Sequence, residues 1–177
     1  MRFSELNLSG AFVIELERHE DIRGFFARTF CAREFGERSL ETNFVQESIS
    51  FNKRRGTIRG MHFQLEPHAE TKTVRCTAGA VYDVIIDLRP GSPTYGKWHA
   101  VELSALNRRT LYIPVGFAHG FQTLENDSEL LYQISAEFEP AAARGIRWND
   151  PQVGINWPIL EGVTISERDA ALPDMSS

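Results

Sequence analysis

The chain of 177 residues carries 19 Lys and Arg against 24 Asp and Glu, a formal charge of −5 with a pI near 5.6. That balance excludes nucleic-acid binding driven by bulk charge and leaves a small anion, gripped by local arginines, as the anionic partner to expect. With 42% hydrophobic residues the length suits one domain, 1–177, around one core. Cys31 and Cys76 make no disulfide framework, no apolar leader follows Met1-Arg2, and no apolar run approaches the roughly 20 residues that span a bilayer, so a reduced, cytoplasmic chain without a membrane partner is expected.

In chain order, Leu6-Asn7-Leu8 and Ala11–Leu16 read as two extended pieces around a Ser9-Gly10 turn. Asp21-Ile22-Arg23-Gly24-Phe25-Phe26 reads as a solvated turn feeding a strand, or as an arm that offers a cation and a ring to an aromatic anion. Cys31–Leu40 suits a short helix or loop. From Phe44 onward strands dominate: Val45–Phe51, the glycine-flanked stretch Gly56–Gln64, Glu70–Cys76, Gly79–Leu88, Trp98–Leu103, Thr110–Val115 and Leu130–Ile134. Lys72 shares a face with Val74 and Cys76 by the period of two, and Tyr132 shares one with Leu130 and Ile134. The tail from Trp148 is Pro-punctuated, and Ser166 is an N-cap candidate for a last short turn. Strands at roughly 8–12-residue spacing with turn signals between them predict an all-β sandwich or barrel.

Gly56 with His62, and later Pro114-x-Gly116-x-x-His119, match parts of the two cupin motifs of the jelly roll. A metal-binding cupin needs His-x-His in the first motif and a glutamate soon after, because the ion needs three or four converging ligands. Here Gln64 stands at the second histidine position, and Glu66, His68 and Glu70 do not restore the pattern, so no metal is expected. Without one, His62, Lys72, Arg59, His119 and Tyr132 still supply a base, a point cation, an anion fork and a phenolic acid. That set suits proton abstraction beside a carbonyl and proton return from the other face. A histidine base needs a partner on its other nitrogen to fix its tautomer, and a carboxylate does this best. Asp83, Asp87 and Asp169 are candidates that spacing does not rank.

Asp21-x-Arg23-Gly24-Phe25-Phe26, Gly56-x-x-Arg59-Gly60-x-His62-x-Gln64, Lys72-x-Val74-Arg75, Asp83-Val84 to Asp87-x-Arg89, Ser92-Pro93-Thr94-x-Gly96, Ile113-Pro114-x-Gly116-Phe117-Ala118-His119-Gly120-Phe121 and Trp148-Asn149-Asp150 run in order over nearly the whole chain. Together they resemble the dTDP-4-dehydrorhamnose 3,5-epimerase family. The resemblance implies an all-β cupin-type double-stranded β-helix, or jelly roll, with short peripheral helices, free of cofactor and metal and paired as a homodimer. It implies a nucleotide-diphosphate 4-keto-6-deoxy sugar as substrate, in deoxysugar or surface-polysaccharide biosynthesis.

Carried over by position, His62 is the expected base with Asp169 as its carboxylate, Tyr132 the acid, and Lys72 the cation for the enolate. His119 lies near the site, Arg59 and Gln46 bind the diphosphate, and Arg23 and Phe26 reach across the dimer to the nucleotide. The chain departs from the family pattern at Arg28, where a glutamate is usual, at Ser48 in place of an asparagine, at Phe138 in place of Tyr or Trp, and around Thr71-Lys72-Thr73. Those departures imply altered thymidine recognition while the catalytic set is intact. The competing readings are an epimerase restricted to C3 or C5, a metal-dependent cupin, and a sugar-nucleotide-binding module without catalysis.

Overall fold

Strict alternation of apolar and polar residues makes a strand that is buried on one face, whereas a continuous apolar run makes one buried on both. Both kinds occur here. The computed structural model describes residues 1–175. In chain order its elements are β1 (Arg2–Glu5), β2 (Phe12–Glu15), β3 (Arg18–Asp21), β4 (Gly24–Ala27), α1 (Ala32–Gly36), β5 (Gln46–Asn52), β6 (Ile58–Gln64), β7 (Lys72–Ala78), β8 (Ala80–Asp87), β9 (Trp98–Ser104), β10 (Thr110–Ile113), β11 (Phe117–Thr123), β12 (Ser128–Ile134), β13 (Ala143–Gly145) and α2 (Glu167–Ala170). A six-stranded sheet, β1-β2-β10-β7-β12-β5, faces a five-stranded one, β13-β6-β11-β8-β9, and β3 and β4 form a separate hairpin. The result is the expected antiparallel jelly roll. No helix among the described residues is long and apolar enough to cross a membrane.

The interior of the sandwich is filled from both sheets. Val74, Cys76, Leu111, Ile113 and Leu130 meet Val81, Ile85, Leu103, Phe117 and Phe121 there. The other face of the five-stranded sheet is also covered: Val84, Ile86 and Ala118 pack under Ile146, Val153 and Trp157 of the tail. This explains why β8 is apolar on both faces apart from its two aspartates: its inward residues are Val81, Asp83, Ile85 and Asp87, and its outward ones lie under the tail.

Two expectations shift. Leu6–Leu8 is a turn rather than a strand: Leu6 N–H donates to the Ala11 carbonyl at 2.8 Å and Ala11 N–H to that of Leu8 at 3.1 Å, with Gly10 at φ +85°, and the strand is Arg2–Glu5. Ala143–Gly145 is a strand that its alanine-rich sequence does not announce, because it forms by pairing with the free edge of β6.

The period of two breaks once where it matters. On β11 the step from His119 to Phe121 is two residues, but their partners on β6, His62 and Arg59, are three apart. One extra residue therefore bulges from β6, and a bulge re-aims the side chains on either side of it. Met61 turns into the outer cluster at 0% exposure, while Arg59 and His62, which strict alternation would send to opposite faces, both line the interior cleft. The bulge fits because two glycines meet. A Cβ on Gly60, at φ +123°, would lie 2.5 Å from Gly120 Cα and 2.8 Å from the His119 carbonyl oxygen; one on Gly120 would lie 2.7 Å from the Arg59 carbonyl oxygen. Gly60→Ala forces backbone apart in a conformation that L side chains avoid, and we expect about 2 kcal/mol or more of destabilisation. For a chain of this length that lowers the thermal midpoint by roughly 4–8 °C, which a melt followed by circular dichroism measures; an unchanged midpoint would show that the strands part freely.

Candidate active site

The cleft between the sheets has a volume of about 420 Å³ and is lined by side chains from both. From the five-stranded sheet come Arg59 and His62 of β6 and His119 of β11; from the six-stranded one come Ser48 and Ser50 of β5, Lys72 of β7 and Tyr132 of β12. The register explains the grouping, since His62 and His119 are cross-strand partners, Tyr132 lies beside Ser48 and Val74, and Ile134 lies beside Lys72. Asp169 closes one end from α2. Ser166 caps that helix by accepting from the Asp169 amide at 3.1 Å, as its sequence position suggests.

The three candidate aspartates sort cleanly. Asp169 takes His62, with Nε2 and Oδ1 2.9 Å apart, and its Oδ2 accepts from the Gly60 amide in the bulge at 3.2 Å. Asp83 takes His119, again 2.9 Å from Nε2. Asp87 lies on the same face of β8 but is used structurally. Arg89 and the hydroxyls of Ser92 and Thr94 donate to it at 2.6–2.9 Å, and although its burial opposes ionisation, these donors hold its carboxyl far below the usual range.

Burial shapes the chemistry of the rest. The His62 ring keeps 43% of its side chain open to the cleft, yet desolvation by the surrounding walls lowers its pKa; Lys72 and His119 push the same way, and Asp169 opposes them. With Nε2 turned to Asp169, Nδ1 is left as the basic nitrogen. The Tyr132 phenol is pushed well above its ordinary value of 10, first by burial and then by the negative Asp83, so it stays protonated. Its ring meets His119 edge-on at 5.9 Å. Burial likewise raises Asp83, against the pull of His119. Lys72 is bound at 2.7 Å by Glu70, which lies in the loop two residues before it.

Arg59 donates from Nε to Asn52 Oδ1 at 2.8 Å, which aims the guanidinium along the cleft. A neighbouring cavity of about 230 Å³ shares His62 and Lys72 with the cleft and adds Gln46 and Phe138; Gln46 Oε1 accepts from the Phe138 amide at 3.0 Å, joining the two. Gln64 is no ligand in waiting. Its Nε2 donates to the carbonyls of His68 and Glu137 and its Oε1 accepts from the Glu139 amide, so its amide is spent on backbone. Among the described residues no cluster of three or more His, Cys, Asp or Glu is placed to hold a metal ion.

Three expected nucleotide contacts line neither cavity. Arg23 is folded back on Asp21 at the hairpin tip, Phe26 is 76% exposed on β4, and Arg28 is paired with Glu34 at 3.1 Å. Conversely, Arg168 of α2, which lines both cavities, escaped the sequence reading, as did Asn52 and the pairing of Glu70 with Lys72. The period of two could have found Asn52, on the face of Ser48 and Ser50, but nothing in the sequence marks Arg168, and Glu70 lies in the loop before β7.

A sequence profile of the family described as dTDP-4-dehydrorhamnose 3,5-epimerase matches residues 5–177. A protein of that name from Sinorhizobium fredii is 42% identical over 99% of this chain and 90% of its own length. Among solved structures, the dTDP-4-dehydrorhamnose 3,5-epimerase of Elizabethkingia anophelis superposes with a TM-score of 0.96 at 35% identity, covering 99% of this chain and 97% of that one. The dTDP-6-deoxy-D-glucose-3,5-epimerase of Legionella pneumophila, solved in complex with dTDP-4-keto-L-rhamnose, gives 0.93 at 36% identity, covering 99% and 93%.

The electrostatics of the His62 pair can be measured without any substrate. Burial disfavours the imidazolium, so the His62 ring, followed by NMR, should titrate below the ordinary 6.5. Asp169→Asn removes the charge that raises its pKa, and the midpoint should then fall further; a midpoint that rises in the variant would contradict the pairing.

Proposed function

The chain belongs to the dTDP-4-dehydrorhamnose 3,5-epimerase family, and from that premise we propose that it is an isomerase that inverts C3 and C5 of a dTDP-linked 4-keto-6-deoxyhexose, with its own side chains performing each step. The observation that carries this reading is that a carboxylate-backed histidine and a protonated tyrosine approach one cleft from facing sheets.

C3 and C5 both flank the C4 carbonyl, so loss of either proton gives an enolate with its charge on O4. His62 Nδ1 takes the proton, Asp169 stabilises the imidazolium that forms, and the Lys72 ammonium stabilises O4. Tyr132 returns a proton from the other face, and the centre is inverted. One base serves both carbons because they lie on either side of the same carbonyl. His119, held by Asp83, borders the same space. Arg59 and Arg168 supply the positive charge for the diphosphate, and Ser48 lies beside them. Phe138, fixed by Gln46, offers a stacking face for the base.

The departures at Arg28, Ser48 and Phe138 bear on how the pyrimidine is read, and dTDP is adopted because the relatives are named for dTDP sugars. Arg23, Phe26 and Arg28 stand on or beside the exposed β3–β4 hairpin, outside the cleft of their own chain. In a homodimer that exchanges these hairpins each chain completes the nucleotide site of the other. The product feeds deoxysugar or polysaccharide assembly in the cytoplasm, with residues 1–177 acting as one domain.

Incubation with dTDP-4-keto-6-deoxyglucose in heavy water, read by NMR, should show deuterium entering at both C3 and C5. Exchange at one carbon alone would make the chain a single-carbon epimerase, and binding without exchange would make it a binding module. His62→Ala should lower exchange at both carbons by at least about a thousandfold; Tyr132→Phe should keep measurable exchange while inversion is lost.

A further inference from the structure

Three carboxylates stand around the cleft, and each faces a different proton-carrying or cationic group. Asp169 is committed to His62 and Asp83 to His119. The third, Glu70, is outside both histidine pairs. Its Oε1 lies 2.7 Å from Lys72 Nζ, and both side chains are enclosed, with exposures of 6% and 13%. Among the described residues its Oε2 is buried without a hydrogen-bond partner, so the Lys72 ammonium is what compensates this buried charge.

We propose that Glu70 is the positioning residue for Lys72: its carboxylate fixes the ammonium where the enolate oxygen develops and balances its charge while His62 becomes an imidazolium in the same cleft. The proposal rests on the reading of Lys72 as the enolate-stabilising cation. A lysine stem has four rotatable bonds, and an ammonium that must find its place at each turnover stabilises charge less than one held there beforehand. Glu70, in the loop just before β7, holds the ammonium at 2.7 Å and removes that search.

The second part of its role is electrostatic. The other groups facing Lys72 are His62 and Arg59 from β6, His119 from β11, Tyr132 from β12, and Arg168 with Asp169 from α2; Asp83 reaches it from β8. Most of these are neutral or positive, and the two aspartates are already engaged by histidines. Lys72 and His119 both disfavour the His62 imidazolium. Without Glu70, proton abstraction would place a new positive charge beside an uncompensated one.

Glu70→Gln is isosteric and removes only the charge. The expected result is a fall in the exchange rate of about tenfold or more with KM changed by less than about threefold. With the anion lost the ammonium is no longer held, so the Lys72 ε-carbon of a 13C-lysine-labelled chain should relax as a more mobile group than in the wild type. Glu70→Asp should restore part of the rate and part of the order. An unchanged Lys72 mobility in Glu70→Gln would overturn the assignment. A wild-type chain that binds substrate and exchanges nothing would overturn the reading of the reaction instead, and the Lys72 mobility, which needs no substrate, would still decide the role of Glu70.

Discussion

The site depends on the place where Gly60 of β6 crosses Gly120 of β11 with no side chain between them. There β6 carries an extra residue and stays within reach of its neighbour. The bulge brings Arg59 and His62 to the same face, leaves His119 directly opposite His62, and frees the Gly60 amide to donate to Asp169. Arg59, His62, His119 and Asp169 are thus all placed by one irregularity. A regular strand of the same composition would lose Arg59 or His62 to the outer cluster.

Charge in the cleft is arranged by burial and by the donors each carboxylate finds. Asp83, Asp87 and Asp169 are chemically identical, and two of them sit on the same face of β8, yet only Asp87 meets a guanidinium and two hydroxyls. It becomes a fixed anion that ties the turn after β8. The other two meet imidazoles. The phenol of Tyr132 on one sheet is held protonated by the same low-dielectric walls that favour the neutral His62 ring on the other.

Much of this was legible in the sequence. Turn residues at regular spacing gave the all-β architecture, and the period of two placed Lys72 with Val74 and Tyr132 with Leu130. The bulge was not legible, since alternation read literally separates Arg59 from His62, and only the contact with Gly120, sixty positions on, shows why Gly60 is there. Nor could spacing choose among the aspartates, because the pairing of His62 with Asp169 spans 107 residues and passes through the whole topology. Ala143–Gly145 hid as a strand because its structure is imposed by the edge of β6 and not by its own composition. Arg168 hid because nothing local sets a cleft-lining arginine apart from a solvated one.

The strand order has a consequence for how the protein comes into being. In β1-β2-β10-β7-β12-β5 and β13-β6-β11-β8-β9 most neighbours are distant along the chain, so loop-closure entropy is lost before the contacts that reward it are made, and such topologies fold slowly. His62, Lys72, His119, Tyr132 and Asp169 converge only when both sheets have closed on each other and α2 has docked. The stretch 59–72 carries Arg59, His62 and Lys72, but on strands of opposite sheets. Recovery of the reaction after dilution from denaturant is therefore a clock for the last docking event, and it should lag behind the return of β-sheet signal.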